Sequence, residues 1–215
     1  MKQVRKLLWL GIGFLAAFVL WTMAVCLLDV QPIGPEGSKV GMATLNGFVH
    51  RLTGVHFGLY HITDWLGLVP IFVCMGFAVL GLVQWVRRKQ LGKVDFSIFV
   101  LGGFYVVTIA MFVLFEKLSI NFRPVLINGV LEASYPSSTT LLVMCVMPTA
   151  VLQCNHRISI GWLRKLVCRG MAAFTGFMVI GRLLSGVHWV TDIIGGGLLS
   201  AGLVLVYAAL CGVKD

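Results

Sequence analysis

The sequence predicts an all-α membrane protein, a polytopic bundle of about six transmembrane helices. Three observations predict it: the composition, the spacing of long apolar runs, and the placement of basic residues between them. Of 215 residues, 59% are hydrophobic and only 12% charged, against about 25% charged in a soluble domain. Mean hydropathy is +0.95, so most side chains must face lipid or other helices. The length fits one transmembrane domain, residues 1–215, with no room for a second. The net charge of +9 does not point to nucleic acid, because the Lys and Arg residues form short clusters between apolar runs rather than one stripe.

The first apolar run, Leu7 to Leu28, follows Lys2, Arg5 and Lys6. It is too long for a signal peptide and no small-x-small cleavage site follows, so it reads as a retained helix. A polar stretch continues to about Asp64, with Pro32, Gly34, Pro35 and Gly37 marking turns. Within it, Val40 to Ile62 mixes apolar residues with His50, Arg51, His56 and His61 and predicts a short interfacial helix. Helix two is expected over Trp65 to Val86, with Thr63 or Asp64 as N-cap. Helix three follows over Phe96 to Phe115. Helix four, Thr139 to Gln153, is short for a span, so its flanks must contribute, and Pro148 is expected to kink it. Helix five is expected over Val167 to Leu184 and helix six over His188 to Cys211. Trp9, Trp65, Trp85, Trp162 and Trp189 fall near helix ends, as an aromatic belt would.

Basic residues set the orientation. Lys2, Arg5, Lys6, the Arg87–Lys93 loop, the Arg157–Arg169 loop and Lys214 place twelve Lys/Arg on one side; Lys39, Arg51, Lys117, Arg123 and Arg182 place five on the other. Cytoplasmic loops carry the excess. Both termini are therefore expected in the cytoplasm, with a multi-pass location in the plasma membrane. The six cysteines show no C-x-x-C spacing and lie in or beside apolar runs, so neither a disulfide nor a metal site is expected from them.

The chemistry concentrates in two outer-face segments, 116–140 and 182–192. The sharpest motif is Arg182-x5-His188-x3-Asp192. Four residues apart on a helix, His188 and Asp192 would share a face. The carboxylate would fix the imidazole tautomer and leave the other nitrogen free to attack or to move protons. Arg182 supplies a planar fork suited to phosphate. Tyr135-Pro136-Ser137-Ser138-Thr139-Thr140 opens helix four, where hydroxyls and backbone N–H groups make an anion site; a plain Ser/Thr N-cap explains the same residues. Glu116-Lys117-x5-Arg123-Pro124 adds a basic pair at the membrane border.

In this order the three segments resemble the type 2 phosphatidic acid phosphatase superfamily of membrane lipid phosphatases, whose pattern is Lys-x6-Arg-Pro, Pro-Ser-Gly-His and Ser-Arg-x5-His-x3-Asp. The resemblance implies a six-helix bundle with its site facing away from the cytoplasm and no cofactor or metal. It implies that His188 is the nucleophile, that Asp192 orients it, and that Arg123, Arg182, Ser137, Ser138, Thr139 and Lys117 bind the phosphoryl group. Three positions depart from the pattern. The family's first Lys falls on Glu116, with Lys117 about 100° further round a helix. Gly181 stands for the Ser before Arg182. Thr139 stands where the family has the His that protonates the leaving oxygen, leaving Glu116, Glu132 and His56 as outer-side candidates for an acid.

A diphosphate tolerates that loss better than a monoester, because its leaving group is itself a phosphate with a second pKa of about 6. The expected activity is hydrolysis of a lipid phosphate, with a polyprenyl diphosphate as the best guess. The alternatives are a lipid phosphotransferase, or a non-catalytic lipid-phosphate binding or transport protein on the same scaffold. The orientation is testable on a Cys-free background. Cysteine at Asn128 is expected to react with an impermeant thiol reagent outside intact cells and cysteine at Gln90 is not; labelling at Gln90 alone would invert the topology.

Overall fold

The computed structural model describes residues 1–212. Within them run eight α-helices: α1 (Lys2–Leu27), α2 (Ala43–Thr53), α3 (Phe57–Leu66), α4 (Leu68–Arg88), α5 (Phe96–Leu118), α6 (Ser138–Arg157), α7 (Gly161–Leu184) and α8 (Val190–Leu210). Six segments are long and apolar enough to cross a bilayer: α1, the joined Phe57–Arg88, α5, α6, α7 and α8. This is a multi-pass integral membrane protein.

Several boundaries differ from the sequence expectation, each for a local reason. The second span starts at Phe57, not Trp65. Thr63 sits inside a helix and donates to the carbonyls of Leu59 and Tyr60, so neither it nor Asp64 is an N-cap; polar residues interrupt the hydropathy there without interrupting the helix. The single interfacial helix expected within 40–62 is instead α2 and the first turns of α3, divided at Gly54, whose φ is +65°. α5 continues to Leu118, which puts Glu116 and Lys117 in its last turn. α7 begins at Gly161, so Arg164 and Lys165 lie in the first turns of the helix rather than in a loop. α6 runs unbroken through Pro148 to Arg157, the flanks supplying the missing length.

α6 and α8 form the centre of the bundle, and much of the remaining surface faces lipid through residues such as Phe72, Val79, Phe99 and Val106. Small residues permit the close approaches. A Cβ at Gly11 of α1 would lie 3.1 Å from the Gly202 carbonyl of α8, the contact by which membrane helices pack most tightly. A Cβ at Gly195 would lie 2.8 Å from the Tyr135 ring, and one at Gly196 3.2 Å from the Ser137 carbonyl. These two glycines let the segment before α6 close onto the start of α8.

Alternation of the six spans places segments 28–56, 119–137 and 185–189 at one end. Hydrogen bonds tie them together: Gly41 N–H to Asn121, His56 N–H to the Ser185 carbonyl, and Ser137 N–H to the Asp192 carbonyl. At the other end, hydrogen bonds from Arg88 and Gln84, with Arg157 beside them, hold the Asp95 carboxyl down to about 2.

Gly186 is the tightest point of the first end. Its φ is +67°, and a Cβ there would sit 1.8 Å from the Gly54 carbonyl oxygen. Gly186→Ala is expected to destabilise by about 2 kcal/mol or more. Gly176→Ala in α7, whose new Cβ would meet nothing within 4 Å, is expected to be neutral or slightly stabilising through helix propensity. Thermal unfolding midpoints of the two variants in one detergent check this.

Candidate active site

The site is built around the first turn of α8. His188 does not lie on that helix, as the four-residue spacing suggests, but two residues ahead of it. Asp192, at the third helical position, reaches back so that its Oδ2 accepts the Trp189 N–H at 2.9 Å, the return contact that stabilises helix starts. This fold-back carries the same oxygen to 3.6 Å from His188 Nδ1. The separation exceeds a hydrogen bond, and a modest ring rotation would close it. His188 is 3% exposed and Asp192 0%.

The opposite ring nitrogen meets a cation. Arg123 Nη1 lies 3.3 Å from His188 Nε2. A guanidinium offers only donors, so Nε2 is the acceptor and Nδ1, on the Asp192 side, carries the proton. Burial, followed by the positive charges of Arg123 and Arg182, holds the His188 pKa well below 6.5. The ring is therefore neutral at pH 7 and its Nε2 lone pair is available.

Each arginine already has an acidic partner. Arg123 Nε lies 2.9 Å from Glu132 Oε2, and the Arg123 N–H donates to the Glu132 carbonyl across the folded 119–137 segment. Arg182 is 1% exposed. Its Nη2 lies 3.7 Å from Asp64, its Nη1 reaches Thr63 at 3.4 Å, and its guanidinium stacks 5.0 Å from the Tyr60 ring. Arg123 thus meets His188 directly, Arg182 is held by residues of α3, and the charges of both act on the imidazole.

The remaining expected residues divide. Ser137 is buried as the α6 N-cap, its Oγ accepting from Thr140 N–H; that bond uses the hydroxyl's lone pair, not its proton. Glu116, Ser138, Arg123 and His188 line one polar cleft. Thr139 does not line it; one residue further round α6, it faces the neighbouring apolar cavity. Lys117 is exposed at the end of α5 and is turned away from the cleft that Glu116 lines, as 100° per residue dictates. His56 is exposed, with Nε2 at 2.9 Å from the Thr53 carbonyl, and does not line the cleft.

Other residues around the site escaped sequence reasoning. Trp189 is not a belt anchor: it is 3% exposed and its indole donates to the Phe122 carbonyl at 2.7 Å. His50 packs at a tilt against Trp189 and meets the Gly186 carbonyl at 3.1 Å, bracing the 185–189 turn. Asn46 donates to Thr191 Oγ1 and the Gly41 carbonyl and accepts from Thr191 N–H. Asn121 and Ser134 sit close enough to Asp192 to act on its charge. No periodicity marks these residues; only their polarity beside long apolar runs does.

Buried polar groups nearly always find partners. Here Asn121 Nδ2, Thr140 Oγ1, Arg182 Nε, His188 Nδ1 and Asp192 Oδ1 have none in the protein. Donors outnumber acceptors among them, and two arginines stand alongside. The chemistry of this donor set fits an anion with several oxygens.

No family model and no curated protein sequence matches the chain. A solved structure does: a PAP2-type transmembrane phosphatidylglycerolphosphate phosphatase from Bacillus subtilis, 18% identical, with 93% of each chain covered and a TM-score of 0.58. The two chains share a fold. On it Arg123, His188 and Asp192 come together, with Arg182 buried and Ser137 at the α6 cap.

The electrostatics are open to direct measurement. In 13C-histidine-labelled protein, the His188 resonance is expected to remain that of a neutral ring down to pH 6. Arg123→Gln removes one of the two nearby positive charges, so its titration is expected to move upward, toward 6.5. Titration of His188 above 6.5 in the unaltered protein would contradict the geometry.

Proposed function

We propose that this protein is a lipid phosphatase that uses His188 as its nucleophile and prefers a lipid diphosphate, best a polyprenyl diphosphate. The observation that carries the proposal is the buried imidazole with the Asp192 carboxylate 3.6 Å from its Nδ1 and the Arg123 guanidinium 3.3 Å from its Nε2. A binding protein needs the arginines but not an oriented nucleophile. In the proposed reaction the terminal phosphoryl group enters between Arg123 and Nε2, and its oxygens take over the fork now spent on the ring and on Glu132. The Nε2 lone pair forms a bond to phosphorus and the bridging P–O bond breaks, its electron pair leaving on the lipid phosphate. Asp192 stabilises the imidazolium-like ring. Water then attacks the phosphohistidine, the P–N bond returns its pair to Nε2, and Glu116, in the same cleft, accepts the water's proton. Glu132 positions Arg123 rather than donating a proton. Positive charge placed before the reaction accounts for most of such catalysis.

The excess of basic residues at the opposite end supports a site facing away from the cytoplasm. Non-catalytic lipid-phosphate binding is the rival reading, favoured by Glu116 and Thr139 where the resembling family has Lys and His.

Phosphate release from chain-matched mono- and diphosphates in detergent decides between them. The diphosphate is expected to turn over about 100-fold faster, the scale of a missing general acid. His188→Gln is expected to abolish turnover while phosphate-dependent lipid binding survives. Equal rates on both substrates would refute the leaving-group argument. Binding without turnover on either would establish the rival.

A further inference from the structure

Two apolar cavities lie beside the polar cleft along the seam of α4 and α5. The first, about 500 Å³, shares Phe112, Ser138 and Leu141 with the cleft. The second, about 490 Å³, shares Cys74 and Tyr105 with the first and extends to Trp85 and Leu91 at the far end of the bundle. No charged residue lines either. From Gly67, at the cleft end, to Trp85 is eighteen residues of α4, a rise of about 27 Å. The hydrocarbon core of a bilayer is about 30 Å thick, so the seam runs through both leaflets.

Glycines keep the seam open. A Cβ at Gly102 or at Gly103 of α5 would meet nothing within 4 Å, whereas Gly81 of α4 brings Ile98 to 3.2 Å from where its Cβ would stand and closes the floor. The outer rim carries exposed Ile71, Leu82, Phe99 and Ile109. Wall to wall, the two cavities follow one another from the polar cleft toward the opposite end of the bundle.

Resting on the lipid phosphatase reading, we propose that this seam holds the hydrocarbon tail of the substrate and thereby selects a single chain longer than one leaflet. An acyl chain of a glycerophospholipid ends near the midplane, about 15 Å down, and would leave the second cavity unused. Its sister chain would have no groove. A long polyprenyl chain reaches the second cavity and gains apolar contact along its whole length.

The test combines turnover with a readout that does not need turnover. The full-length protein in lipid nanodiscs is given geranyl diphosphate, undecaprenyl diphosphate and phosphatidylglycerolphosphate, and separately a long polyprenyl diphosphate carrying a diazirine at its far end. The expected result is a kcat/KM advantage for the long chain. In Gly103→Leu, and in Gly102→Leu as a second variant, the long-to-short ratio is expected to fall about tenfold or more, as two or three methylenes lose apolar contact. Photolysis is expected to label residues around Leu82, Trp85 and Phe99. Labelling spread over all lipid-facing helices, or confined to bilayer lipid, overturns the seam as a binding site. So does a long-to-short ratio that both leucine variants preserve. Labelling at Trp85 without phosphate release from any substrate would instead keep the seam and remove the phosphatase reading.

Discussion

A positive charge buried inside a membrane bundle is the constraint from which this structure follows. Arg182 is almost completely enclosed and Arg123 nearly so. A buried charge persists only where partners compensate it, and in a membrane protein it marks a functional site by default. Glu132 and Asp64 compensate in part, yet Arg182 Nε remains unpaired. The bundle end is thus organised around an incomplete set of interactions that, on the proposed function, an oxyanion would complete. Burial and the same charges keep His188 neutral, so on that proposal the groups that bind the anion and the group that attacks it are tuned by one arrangement.

The fold holds that arrangement with small residues and amides. Gly195 and Gly196 admit Tyr135 and Ser137 against α8; Gly186 admits the Gly54 carbonyl against the turn that carries His188. Asn46 and Asn121 replace missing secondary structure, each linking backbone groups far apart in sequence. Loops at a membrane border have few backbone partners of their own, and buried side-chain amides supply them.

Much of the fold was legible in the sequence because transmembrane spans announce themselves by length and hydropathy. The six spans and the termini shared by α1 and α8 at one end follow from that alone. The errors fall where polarity and helicity diverge. Thr63 and Asp64 read as a cap but lie in a helix, and Arg164 and Lys165 read as a loop but ride on α7. In the site, the Arg182–His188–Asp192 spacing suggested a shared helix face, whereas His188 and Asp192 approach each other by a fold-back at the α8 start. Lys117 was grouped with the site as the neighbour of Glu116, and Thr139 because it stands where the resembling family has His. The helical turn puts Glu116 and Ser138 on the cleft, Thr139 on the neighbouring apolar cavity, and Lys117 on neither. Trp189 and His50 looked like interface residues because nothing local shows that they brace a turn.

On the proposed mechanism His188 Nε2 is the atom that meets phosphorus, with Arg123 on the equatorial oxygens. A structure of the protein with orthovanadate measures this most directly. The expected result is vanadium bonded to His188 Nε2, with Arg123 released from the ring onto the vanadate oxygens and Asp192 closed to hydrogen-bond distance on Nδ1. Vanadate bound to another nucleophile, or resting on the arginines with His188 turned away, would contradict it.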